Sequence, residues 1–121
     1  MDDNSLKVLV VDDDEDDIFL VKEMLKEGFP ESKLSLDYAM NGENAIALID
    51  NGGHDIFLLD LHLGKADGLS ILKHLNERNI STPVIFLTSQ GDQEKAVEVM
   101  KAGATDYIMK SNLSVEGLAS S

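Results

Sequence analysis

Five short apolar runs, each closed by a polar turn and followed by a segment with helical spacing, constrain this chain more than any other feature. The runs are Lys7–Val11, Leu34–Tyr38, Ile56–Asp60, Val84–Thr88 and Asp106–Met109, and each is expected to be a strand. Between them, Ile18, Val21, Met24 and Leu25 form one helical stripe, and Ala45, Ile46, Leu48 and Ile49 a second. Leu69, Leu72 and Leu75 form a third, and Ala96, Val97, Val99 and Met100 a fourth. Gly28 and Gly103 stand where the first and fourth helices should be capped, and Asn41-Gly42 and Asn51-Gly52-Gly53 signal turns. Strands that alternate with helices must run parallel and be joined by right-handed crossovers. The expected fold is therefore a doubly wound α/β domain, an open five-stranded parallel sheet with helices on both faces. KVLVV and IFLLD are apolar almost throughout, as central strands buried on both sides should be.

A chain of 121 residues, 43% of them hydrophobic, suits one domain spanning residues 1–121 around a single core system. Leu113, Val115, Leu118 and Ala119 read as the start of a fifth helix, cut short at Ser121. The methionines Met24, Met40, Met100 and Met109 are read as core fillers, and His54 and His74 as surface or packing residues. No run of residues approaches the ~18 needed for a membrane span, and the acidic start Met-Asp-Asp-Asn is unlike a secretory leader, so a cytoplasmic location is expected. The absence of cysteine excludes thiolate chemistry and disulfides. A net charge of −13 opposes direct contact with nucleic acid phosphates and favours cations and basic partner surfaces.

In open α/β sheets, ligands bind beyond the carboxyl ends of the strands, near the point where the strand order reverses. The first strand ends in Asp12-Asp13, the third in Asp60 and the fourth in Thr88, while the fifth runs into Lys110. All five side chains should meet on one rim. Carboxylates ~4 Å apart repel by about 4 kcal/mol at an effective dielectric near 20, a conflict that a divalent cation resolves. Short, hard oxygen ligands suit Mg2+, which binds through one or two carboxylates together with a phosphate. A cation, an ammonium and a hydroxyl around a spare carboxylate would make a site for a phosphoryl group, with the carboxylate as nucleophile. The acids that follow, Asp14 to Asp17, are read as a solvated helix N-terminus, favoured by the helix dipole. Asp12, Asp14, Asp16 and Glu23 also fall at calcium-loop positions, but the sixth position is Asp17 rather than glycine and a strand precedes it.

Taken in order, Val10-Val11-Asp12-Asp13, Ala39-Met40-Asn41-Gly42, Leu58-Leu59-Asp60-Leu61, Asp67-Gly68, Phe86-Leu87-Thr88-Ser89, Gly103-Ala104-Thr105-Asp106-Tyr107 and Lys110 resemble a response-regulator receiver domain of two-component signalling. The resemblance runs from Leu6 to Lys110 and implies a flavodoxin-like sheet of order 2-1-3-4-5. It implies that Asp60 accepts a phosphoryl group from a phosphohistidine on a sensor histidine kinase or phosphotransfer protein. Asp13, Asp60 and the backbone carbonyl of His62 would ligate Mg2+, with Asp12 acting through a metal-bound water. Thr88, with Ser89 beside it, and Lys110 would contact the phosphoryl oxygens, and Tyr107 would be an aromatic switch that follows Thr88. His62 and Gln90 stand where such domains tune hydrolysis of the phosphoaspartate. An output domain beyond Ser121 and a homodimer through the face of helix four, strand five and helix five are further implications.

Two departures from the family pattern carry expectations of their own. The segment Leu61-His62-Leu63-Gly64-Lys65-Ala66-Asp67-Gly68 lacks the proline common there, so a looser loop is expected. Lys110 precedes Ser111 rather than a proline, and a non-proline cis bond costs ~2.5–4 kcal/mol, so a trans bond is expected. Two other functions fit the same fold. A docking module independent of phosphorylation would not need the full Asp, Thr and Lys set, and an aspartyl phosphatase would want an Asp-x-Asp motif where this chain has Asp60-Leu61-His62.

Overall fold

The structure, a computed structural model, describes residues 5–29, 33–61, 63, 68–88 and 93–112. Its elements are β1 (Leu6–Val11), α1 (Glu15–Gly28), β2 (Leu34–Ala39), α2 (Gly42–Asn51), β3 (Ile56–Asp60), α3 (Gly68–Glu77), β4 (Val84–Thr88), α4 (Gln93–Lys101) and β5 (Asp106–Met109), followed by a 3₁₀ turn over Lys110–Asn112. The strands form one sheet in the order β2-β1-β3-β4-β5, every pair parallel. The chain leaves β1 toward β2, crosses back over β1 to β3, and continues outward. The order reverses between β1 and β3, which is where the doubly wound fold places a ligand.

Side-chain alternation divides the core into two layers. Leu9, Val11, Phe57, Leu59, Val84 and Phe86 point to the face covered by α2, α3 and α4, where Ala45, Ile49, Ile71, Leu72, Leu75 and Val99 meet them. Val8, Val10, Leu58, Ile85 and Leu87 point to the opposite face and pack on Val21 and Leu25 of α1. Strands buried on both sides need apolar residues at every position, which is why the runs of β1, β3 and β4 do not alternate with polar ones. Each large side chain buried in this way contributes about 1.5–3 kcal/mol against exposure, so the centre of the sheet is the most firmly held part of the chain.

Helix ends follow local chemistry. Asp14 caps α1 by accepting the Asp16 N–H at 2.9 Å, and Asn41 caps α2 by accepting the Asn44 N–H at 2.8 Å. Asn41-Gly42 is thus a helix start as well as a turn. Gly103, at φ +112°, ends α4 with the paired bonds Gly103 N–H to Met100 and Ala104 N–H to Val99, a left-handed termination suited to glycine. Asn79, at φ +56°, ends α3 in the same way, its neighbour Ile80 returning an N–H to Leu75. Gly28 does not behave as expected: it is the last residue of α1, and the cap is Phe29 in extended conformation. Phe29 packs against the α1-side core, so burial of its ring draws the chain straight out of the helix.

The methionines divide. Met24 packs against the core, but Met40 and Met100 are exposed, as is Val97, so the stripe on α4 is only partly used and Val99 is its one buried member. His54 is buried, with Nε2 2.8 Å from Asp37 and its ring against Phe57, and His74 Nε2 lies 3.0 Å from Asp50. No peptide bond among the described residues is cis, so Lys110–Ser111 is trans. No described helix is long and apolar enough to cross a membrane. The expected fifth helix falls in residues 113–121, outside the described residues.

Candidate functional site

The ladder of the sheet extends one residue past two of its strands. Asp12 N–H bonds to the Ala39 carbonyl at 3.0 Å, and Leu61 N–H to the Leu87 carbonyl at 2.9 Å. These bonds hold the chain on either side of the order reversal, so Asp12 and Asp60 stand on regular backbone at the carboxyl ends of β1 and β3. Asp12, Asp13 and Asp60 each offer a carboxylate oxygen, and the three oxygens lie within 4.8 Å of one another. Asp12 and Asp60 are buried and Asp13 is exposed, which leaves the group open to solvent on one side. Asp12 is oriented from its own turn, since Oδ1 accepts the Asp14 N–H at 3.0 Å.

Lys110 reaches this group from the end of β5. Its Nζ donates to Asp12 Oδ2 and to Asp17 Oδ2, both at 2.7 Å, and lies 3.7 Å from Asp60 Oδ2. Burial pulls the ammonium toward neutrality. The hydrogen bonds to Asp12 and Asp17, with the charges of Asp60 and Asp12, outweigh that and hold its pKa above the ordinary lysine value. Burial favours the neutral form of Asp12 as well, and there it prevails. Desolvation raises its pKa above the ordinary aspartate value, and the Asp17 charge adds to the rise, while the Lys110 ammonium and the Asp14 N–H only partly compensate. Asp12, Asp17 and Asp60 share one ammonium, and Asp13 adds a further carboxylate beside Asp12 and Asp60, so this corner of the described structure has a standing deficit of positive charge. Three oxygens at that spacing fit a small divalent cation that prefers hard oxygen ligands.

Thr88 is fully buried at the end of β4, in register with Met109 on β5. Tyr107 pairs in register with Phe86, is half-buried, packs against the core layer of α2–α4 and lines a groove with Ala96, Val97 and Met100 of α4. The sequence-derived rim residues Asp12, Asp13, Asp60, Thr88 and Lys110 therefore all lie at the carboxyl ends of their strands. His62, Ser89 and Gln90 lie outside the described residues. Asp17 is the residue that the sequence reading left among solvated acids. Asp14 and Asp16 are exposed there as expected, but Asp17 is half-buried and bonds to Lys110. The available signal was position: Asp17 stands one helical turn beyond Asp13, on the helix that starts at the rim.

A family model, the response regulator receiver domain, matches residues 8–119. The transcriptional regulatory protein ResD of Bacillus subtilis is 34% identical over 107 residues, covering 88% of this chain and 42% of ResD. The receiver domain of Francisella response regulator 1452 superposes with a TM-score of 0.77 at 33% identity, covering 94% of this chain and 90% of that one. A response regulator from Burkholderia pseudomallei, solved with a phosphorylated aspartic acid, a calcium ion and citrate, superposes with a TM-score of 0.78 at 28% identity, covering 96% of this chain and 65% of that one. The chain spans less than half the length of the curated relatives it matches.

Proposed function

Because the chain belongs to the response regulator receiver domain family, we propose that it is a phosphorylation-controlled switch whose phosphoacceptor is Asp60. The observation that carries this reading is the convergence of Asp12, Asp13 and Asp60 within 4.8 Å beside the Lys110 ammonium. The donor is a phosphohistidine on a sensor histidine kinase or phosphotransfer protein. An oxygen of Asp60 attacks phosphorus in line with the P–N bond, which breaks as the new P–O bond forms, and the imidazole leaves with the electron pair. Asp12, Asp13, Asp60 and the carbonyl of His62 would hold Mg2+, which when bound neutralises charge on the transferring oxygens.

The chain's own groups do the rest. Lys110 offers its ammonium to a phosphoryl oxygen, and Thr88, with Ser89 beside it, offers a hydroxyl. Drawing Thr88 toward the phosphoryl group opens space for Tyr107 to turn inward from the α4 groove, which biases a two-state surface at α4 and β5. His62 restricts the water that hydrolyses the phosphoaspartate and Gln90 orients it. The receiver acts on its own phosphoryl group and turns over no other substrate. Its output is altered affinity for a partner, for a domain beyond Ser121 or for a second copy through α4 and β5. The setting is cytoplasmic, where the kinase would be met.

The B. pseudomallei regulator supports the reading, since it carries a phosphorylated aspartate in a fold that superposes on this one. The test is labelling with acetyl phosphate and Mg2+, followed by intact-mass measurement. The wild type gains one phosphoryl group that Asp60→Asn does not. Equal labelling of Asp60→Asn refutes the assignment.

A further inference from the structure

The proposed chemistry makes no use of Asp17. It lies outside the group formed by Asp12, Asp13 and Asp60, yet its bond to Lys110 is as short as that of Asp12. Its side chain is 29% exposed, against 3% for Asp12, so it holds the ammonium from the solvent side. An ammonium has three hydrogens to donate. Asp12 and Asp17 engage two, and Asp60 Oδ2 stands at an ion-pair distance of 3.7 Å, beyond hydrogen-bond reach. An oxygen of a phosphoryl group on Asp60 would take the third hydrogen, and the ammonium would then be shared between that oxygen and the carboxylates of Asp12 and Asp17.

We propose that Asp17 is a positioning residue that holds Lys110 in the unphosphorylated state and competes with the phosphoryl group for it. The inference rests on the reading above, in which Lys110 meets the phosphoryl oxygens. Two effects act with the same sign. The bond from Lys110 to Asp17 is weakened when the ammonium is shared with the phosphoryl group. In addition, the Asp17 charge stands one ammonium away from a phosphoryl group that carries a charge of about −2 in place of the single carboxylate charge of Asp60. Asp17 is not among the carboxylates that would share a cation, so its charge is not relieved when the site is loaded. Asp17 thereby sets how strongly a phosphodonor must drive the switch, and it ties α1 to the end of β5 until the driving group arrives.

Beryllofluoride, a phosphoryl mimic, is titrated in excess Mg2+ into the wild type and into Asp17→Asn, with the bound species followed by fluorine NMR. The amide keeps the shape and removes the charge. Asp17→Asn is expected to reach half-saturation at about three- to tenfold lower beryllofluoride, the size of a partly exposed charge effect. The gap is expected to shrink as salt is raised, because the interaction is partly open to solvent. A merely structural role would not produce that salt dependence. Equal or weaker binding by Asp17→Asn, or a gap indifferent to salt, overturns the inference while leaving the phosphoacceptor reading intact. A wild type that does not bind beryllofluoride overturns the phosphoacceptor reading instead. Thermal melting checks the fold of the variant, and Asp17→Ser replaces it in the same titration if the amide does not fold.

Discussion

Gly68 opens α3 directly behind β3, the strand that ends in Asp60, and replacing it with alanine tests how tightly that strand is held. A Cβ at Gly68 would run into the Phe86 ring and stand 3.0 Å from the Asp60 carbonyl oxygen. Neither neighbour can yield easily. Phe86 is fully buried in the α2–α4 layer, and the backbone beyond Asp60 is tied to β4 by the Leu61 N–H bond to Leu87. Overpacking a filled core costs about 1–3 kcal/mol. Alanine returns at most ~0.5–1 kcal/mol of helix propensity, and less in a first turn, where the chain is only half helical. The net expectation for Gly68→Ala is a loss of about 1–2 kcal/mol. Urea unfolding, with a slope near 2 kcal/mol/M, should then show a midpoint lower by about 0.5–1 M at unchanged slope. Displacement of the Asp60 carbonyl should weaken Mg2+ binding in the same variant. A Gly68→Ala chain at least as stable as the wild type, with unchanged Mg2+ affinity, would show that the close approach of α3 to β3 and β4 is not as described.

Charge in the site makes two further predictions. The folded-state pKa of Asp12 is raised above the ordinary 3.8, so its ionised form destabilises the metal-free fold at neutral pH, and acidification through the raised value removes that penalty. Asp12→Asn should be the more stable chain near neutrality in chelator, with the gap closing as pH falls toward 3.8; a gap that does not change with pH contradicts the charge assignment. Mg2+ at ten times its dissociation constant should stabilise the wild type by about 1.4 kcal/mol through mass action, measured as a higher urea midpoint, and should do much less for Asp60→Asn.

The strands were legible because burial on both faces leaves little choice of residue. Lys7–Val11, Ile56–Asp60 and Val84–Thr88 are nearly continuous apolar runs, and the observed strands match them to within a residue. Strand order was legible only through the family resemblance, since alternation alone implies parallel strands without ranking them. The rim followed from the same source as the strands, because a polar residue that ends a buried strand has only one place to point. Helix surfaces were less legible. The stripe Ala96, Val97, Val99 and Met100 has helical spacing, but spacing says which residues share a face and not how much of that face a neighbour covers. Gly28 looked like a cap because glycine tolerates left-handed backbone, whereas the burial of Phe29 decided how α1 ends. Asp17 was hidden by its neighbours. In a run of six acids, nothing in composition distinguishes the one that a lysine 93 residues away will select.

A crystal grown with Mn2+ in place of Mg2+ and with beryllofluoride, read by anomalous scattering, tests the central claim most directly. The account predicts one anomalous peak among Asp12, Asp13 and Asp60, beryllium joined to an Asp60 carboxylate oxygen, and the Lys110 ammonium on a fluoride. Metal bound elsewhere on this acidic surface, or beryllofluoride joined to any residue other than Asp60, would contradict it.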